Sequence, residues 1–206
     1  MAASTGAIAA KGDPLAGRDK ADAERCLECH GTAGEGQGYS NGENGKFARL
    51  SGQQQTYIVK QIEDFRSGKR RHDFMAMMAR SVSDADLADI AAYFASEPAM
   101  PAGAGRKPAG AVAATVPAAG TGQQLYQHGD GSRKVAACAA CHGAGGQGVP
   151  GVAPVIGGQG QRYLAQQLHD WRSGARRNSP GGTMNQAIAP LSDAEIEALA
   201  QYVSEM

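Results

Sequence analysis

The sequence predicts an all-α protein built from two small helical domains in tandem. Three observations carry this. The chain repeats itself: Cys26 lies over Cys138 at an offset of 112, Gln53 over Gln159 at 106 and Ser83 over Ser192 at 109. Apolar residues recur with the i, i+3, i+4, i+7 spacing of amphipathic helices. No stretch reads as a strand, and no βαβ setting is visible.

Taken in chain order, residues 14–25 form a helix in front of the first cysteine pair, and 122–128 do the same in the second copy. Gly-rich stretches follow each pair, at 31–45 and 143–151, and read as loops. Residues 53–67 place Tyr57, Ile58, Ile62 and Phe65 on one helical face, with Gly68 as a stop. This helix repeats: Tyr57, Gln61, Phe65, Arg66, Ser67, Gly68, Arg70 and Arg71 lie over Tyr163, Gln167, Trp171, Arg172, Ser173, Gly174, Arg176 and Arg177. A last helix in each copy opens on a capping pattern, Ser83 with Asp86 and Ser192 with Glu195. Leu87, Ile90, Ala91 and Phe94, and Ile196, Leu199, Ala200 and Val203, form its core stripe. The changing offset puts six extra residues after His30 in the first copy and three extra before the last helix in the second. Both belong in loops. Between the copies, Pro98, Pro101, Pro108 and Pro117 among many Ala and Gly mark a linker. The domains are therefore 1–97 and 121–206, joined by 98–120.

Composition limits the function. Twenty Lys/Arg balance twenty Asp/Glu, which removes the basic excess of a nucleic-acid binder. No stretch approaches the roughly 18 apolar residues of a membrane span, which leaves room only for peripheral membrane association. Residues 1–10 have neither the basic nor the apolar region of an intact export signal. Aromatic residues make up only 5% of the chain. Two domains of this size with so few large side chains would struggle to build cores unaided, so something else fills them.

The cysteines say what. All four fall in two C-x-x-C-H motifs, Cys26-Leu27-Glu28-Cys29-His30 and Cys138-Ala139-Ala140-Cys141-His142. Two thiols three apart on one helical turn can each form a thioether with a vinyl group of a porphyrin. The following imidazole then reaches the iron as its proximal ligand. Two such motifs imply two covalently bound haem c groups. A four-cysteine zinc site would need its knuckles much closer in sequence and would leave His30 and His142 unexplained. A disulfide within either pair closes too small a loop to stabilise much.

A sixth ligand is sought among the methionines. Met184 is the only one between the second motif and the last helix. Counted back from the capped helix, it lies over Met75; counted from the Arg pair, it lies over Met78. The capped helix is the nearer fixed element and favours Met75, while Met77 fits neither register. Both methionines are expected in a loop ahead of that helix. His72, three residues before Met75, is a lesser candidate. The carbonyl of Pro154, with that of Ala48 in the first copy, can orient the proximal imidazole. Tyr57 and Tyr163 read as core or haem-packing residues. The Arg pairs read either as partners of the haem propionates or a protein, or as solvated charge.

Together, the two C-x-x-C-H modules, the Gly-Gln before a Tyr-containing helix, the Phe/Trp-Arg turn, the Met loop and the final Ser-Asp helix resemble the cytochrome c4 family of di-haem cytochromes c. The resemblance implies two tandem class I cytochrome c domains, each wrapped around one covalent haem, with the propionates near the domain interface. It places thioethers on Cys26, Cys29, Cys138 and Cys141, and axial pairs on His30 with Met75 and His142 with Met184. It implies a soluble, non-enzymatic electron carrier of the bacterial periplasm. Donors would be a membrane quinol-oxidising complex or a dehydrogenase, and acceptors a terminal oxidase or another reductase. A di-haem subunit of a flavocytochrome c sulfide dehydrogenase and a di-haem peroxidase are the alternatives.

Overall fold

The computed structural model describes residues 11–38, 46–99 and 120–206. Most of the expected linker and most of the extra loop residues, 39–46, therefore lie outside the described residues. Among those described, the regular structure is helical apart from two isolated bridges, Asp130 with Val135 and Val149 with Ala153.

The first module contains α1 (Pro14–Ala23), α2 (Leu27–His30), α3 (Gln55–Arg66), α4 (Asp73–Ser81) and α5 (Asp84–Ser96). The second repeats them as α6 (Thr121–His128), α7 (Ala139–His142), α8 (Gln161–Ser173), α9 (Thr183–Ile188) and α10 (Asp193–Ser204). Each module is organised by its first and last helices crossing closely. A Cβ on Gly17 would lie 2.0 Å from the Asp89 carbonyl oxygen, and one on Gly122 would lie 2.1 Å from that of Ala198. Only glycine allows this approach.

The expected stripes face inward. Leu87, Ile90, Ala91 and Phe94 of α5 are buried, as are Ile196, Leu199, Ala200 and Val203 of α10. The caps also form. Ser192 and Glu195 make a complete capping box, while Ser83 accepts from the Asp86 amide without the reciprocal backbone bond. Asp is one methylene shorter than Glu.

One expectation is corrected. Met75 and Met184 do not sit in loops; they lie in the first turns of α4 and α9. Asn178 to Gly182, with positive φ at Gly181 and Gly182, takes up the three-residue insertion as a tight turn instead. Tyr57 and Tyr163 are half-buried, and their hydroxyls meet arginines of the opposite module.

Candidate functional site

Each C-x-x-C-H motif forms a single helical turn with its first cysteine at the N-cap, Cys26 for α2 and Cys138 for α7. The thiols are unpaired. Burial pushes both N-cap thiols up to about 11. A redox-active dithiol needs the opposite, a thiol made acidic by its surroundings. Among the described residues, no three His, Cys, Asp or Glu side chains converge as a zinc site requires.

A glycine ends each turn, Gly31 at φ 84° and Gly143 at φ 81°, and the chain folds back under the histidine. The histidines are held alike. His30 Nδ1 lies 2.8 Å from the Ala48 carbonyl and His142 Nδ1 lies 3.0 Å from that of Pro154. A carbonyl only accepts, so Nδ1 carries the proton and Nε2 keeps its lone pair for a metal. Burial lowers both imidazole pKa values, which keeps the rings neutral as ligands must be.

Further along each module, α4 and α9 present matching faces. Phe74 to Arg80 and Thr183 to Ala189 run through the same order of exposed, half-buried and buried positions, with Met75 over Met184 and buried Ala79 over buried Ile188. The helix ends are anchored in the same way. Arg66 donates to the Val82 carbonyl at 2.5 Å, and Arg172 donates to the Leu191 carbonyl at 2.8 Å. Met78 falls over Ala187 in this register. His72 accepts from the Met75 amide at 3.3 Å, so its ring caps α4.

A second group of residues, missed in the sequence, lies between the modules. Gln53 bonds Val155 through both backbone groups, at 2.9 and 3.1 Å, and Gln159 bonds Arg49 likewise, at 3.0 and 2.7 Å. Arg70 reaches Tyr163 at 2.9 Å and Gln167 at 2.7 Å; Arg176 reaches Tyr57 at 3.1 Å and Gln61 at 3.0 Å. Each guanidinium also lies over an aromatic ring of its own module, Arg70 on Phe65 at 4.7 Å and Arg176 on Trp171 at 4.4 Å. The first arginine of each pair is thus an interface residue, and the second, Arg71 or Arg177, is exposed. Burial opposes ionisation of Tyr163, but Arg70 and Arg176 outweigh it and hold its hydroxyl below the usual phenol range. The only signal in the sequence was that these residues repeat.

The cytochrome c profile matches residues 15–97 and 119–206. A cytochrome c4 of Thiocapsa roseopersicina is 37% identical over 194 residues, 93% of this chain and 92% of its own. The chain belongs to the cytochrome c4 family. The crystal structure of reduced cytochrome c4 from Pseudomonas stutzeri superposes with a TM-score of 0.76 at 33% identity, covering 95% of this chain and 99% of that one. A protein of Stutzerimonas stutzeri named thiosulfate dehydrogenase electron acceptor is 35% identical over 182 residues, 88% of this chain and 78% of its own.

This cytochrome is accordingly a di-haem electron-transfer protein with two covalently bound haem c groups. The residues present fit that cofactor. Besides the thiols and imidazoles, three arginines converge between the modules. Arg49 and Arg176 are 7% and 6% exposed and Arg70 is half-buried, and among the described residues none pairs with a carboxylate. Buried cations require anions, and haem propionates are anions. No described helix is long and apolar enough to cross a membrane.

Proposed function

We propose that this cytochrome shuttles single electrons in a bacterial periplasm, between a membrane quinol-oxidising complex or dehydrogenase and a terminal oxidase or other reductase. Its modules are 1–97 and 121–206, joined by 98–120. Cys26, Cys29, Cys138 and Cys141 carry the thioethers; His30 with Met75 and His142 with Met184 hold the irons. Haem iron held by imidazole and thioether supplies a one-electron couple at raised potential.

The observation that carries this reading is the shared register of α4 and α9, which gives each module a half-buried methionine at the same helical position, Met184 packing against the second core. Held by these imidazole and thioether donors, the iron would supply electron transfer alone, and no side chain would need a catalytic role. His30 and His142 keep fixed rings through their carbonyl bonds, so little has to move when charge changes. Partner contacts are then small and transient.

A spectroelectrochemical titration of the holoprotein tests this. Two low-spin haems, both with thioether-to-iron absorption when oxidised and both titrating at positive potential, are expected. A high-spin fraction, or one low-potential haem lacking that band, would replace the shuttle with a peroxidase-like enzyme. The relationship to the Stutzerimonas stutzeri protein favours a second reading, as electron acceptor of a thiosulfate-oxidising enzyme. Haem reduction by thiosulfate that requires such a dehydrogenase, with the two proteins co-eluting, would establish it.

A further inference from the structure

The two modules differ on the outer faces of α4 and α9. The outer face of α4 carries Phe74 and Met77, 51% and 56% exposed. At about 100° per residue they point some 100° and 160° away from Met75 around the helix, so they do not belong to the face turned toward the core. They stand three apart and form one apolar strip. Exposed Lys69, Arg71 and Arg80 flank it, with Asp73 the carboxylate at its start. In the matching register the second module has Thr183 and Gln186 in place of the strip, Ala175, Arg177 and Ala189 in place of the cations, and Gly182 in place of Asp73. The inward faces of α4 and α9 share the same order of half-buried and buried positions, so packing does not demand the difference on the outside.

We infer that the outer face of α4 is the docking site for an acidic redox protein whose own redox centre is ringed by apolar surface. The strip supplies the water-excluding centre of a transient contact and the cations supply long-range steering. Four haem propionates make the loaded molecule acidic overall, yet this rim is locally basic. An acidic partner is therefore drawn to the first module and to no equivalent place on the second. The proposal rests on the shuttle reading and adds to it which module faces this partner class.

The test uses the holoprotein in stopped flow with two reductants: photoreduced flavodoxin as an acidic protein donor, and dithionite as a small-molecule donor. In F74T/M77Q the strip becomes that of α9, where the same residues already serve in a helix with the same order of burial. The flavodoxin rate constant is expected to fall at least about tenfold, with the dithionite rate and both potentials unchanged. In K69A/R80A the slowing of the flavodoxin reaction by added salt is expected to flatten. Flavodoxin rates equal to wild type in both variants, or a wild-type rate insensitive to salt, overturn the docking site while leaving the shuttle intact. A wild-type protein whose haems are not reversibly reduced and reoxidised overturns the shuttle itself. Sedimentation of wild type as a dimer that F74T/M77Q disperses would assign the strip to a second copy and also overturn the proposal.

Discussion

At the scale of single residues, the decisive question is which methionine faces the first iron. Spacing alone left Met75 and Met78 open, because the second copy carries extra residues between its Arg pair and Met184. The tight turn from Asn178 to Gly182 absorbs them, and the Arg66 and Arg172 anchors then align α4 with α9. Met75→Leu is expected to abolish the thioether-to-iron absorption of one haem and lower its potential. Met78→Leu is expected to leave that band in place. Loss of the band in Met78→Leu alone would reverse the assignment. The two C-x-x-C-H motifs stood out because each is confined to five consecutive residues. The arginines did not. Arg70 and Arg176 act on Tyr163 and Tyr57, and no local pattern reports a partner that far along the chain.

At the scale of elements, helices were legible wherever a cap and an apolar stripe coincided, as in α5 and α10. The stretches around Met75 and Met184 lacked a capping signature. His72 and Gly182 start those helices instead, neither of them a residue that marks a start as Ser or Asp does. Ser192→Ala is expected to cost about 1 kcal/mol in thermal or denaturant unfolding, and Ser83→Ala less, since only Ser192 sits in a complete box. At the helix crossing, Gly122→Ala drives a methyl into the Ala198 carbonyl and should cost at least about 1–3 kcal/mol. Melting unchanged from wild type would mean that α6 and α10 cross further apart. Arg133 ties the entry of the α7 loop to α10 through Asp130 and Glu195. It holds the Glu195 carboxyl down to about 2, and Ser132 together with Arg133 holds that of Asp130 down to about 2. Their folded pKa values lie below the unfolded ones near 4. The stabilisation is therefore present above pH about 4 and is lost as pH falls toward 2. Unfolding of Arg133→Ala, followed between those limits, should show a shallower acid dependence than wild type.

At the scale of the whole molecule, two cores are joined by a reciprocal set of hydrogen bonds. Gln53 and Gln159 each clasp the other module's backbone, and Arg70 and Arg176 each reach the other module's Tyr and Gln. The double variant Q53A/Q159A strips both clasps. Thermal unfolding of the wild-type holoprotein is expected as one transition and that of the variant as two, with an increased radius of gyration in scattering. A single transition and an unchanged radius would show that the remaining contacts suffice.

The reciprocity also has a consequence for history. An interface whose Gln clasps and Arg–Tyr pairs each meet the repeat of their own partner is in that part self-complementary, the geometry by which identical subunits pair around a twofold axis. Fusing two such subunits makes their encounter intramolecular, so that it no longer depends on how many copies a cell holds. Once assembly is secured by the tether, selection on the two halves is uncoupled outside the clasp. One copy of a surface helix can then be kept plain while the other specialises.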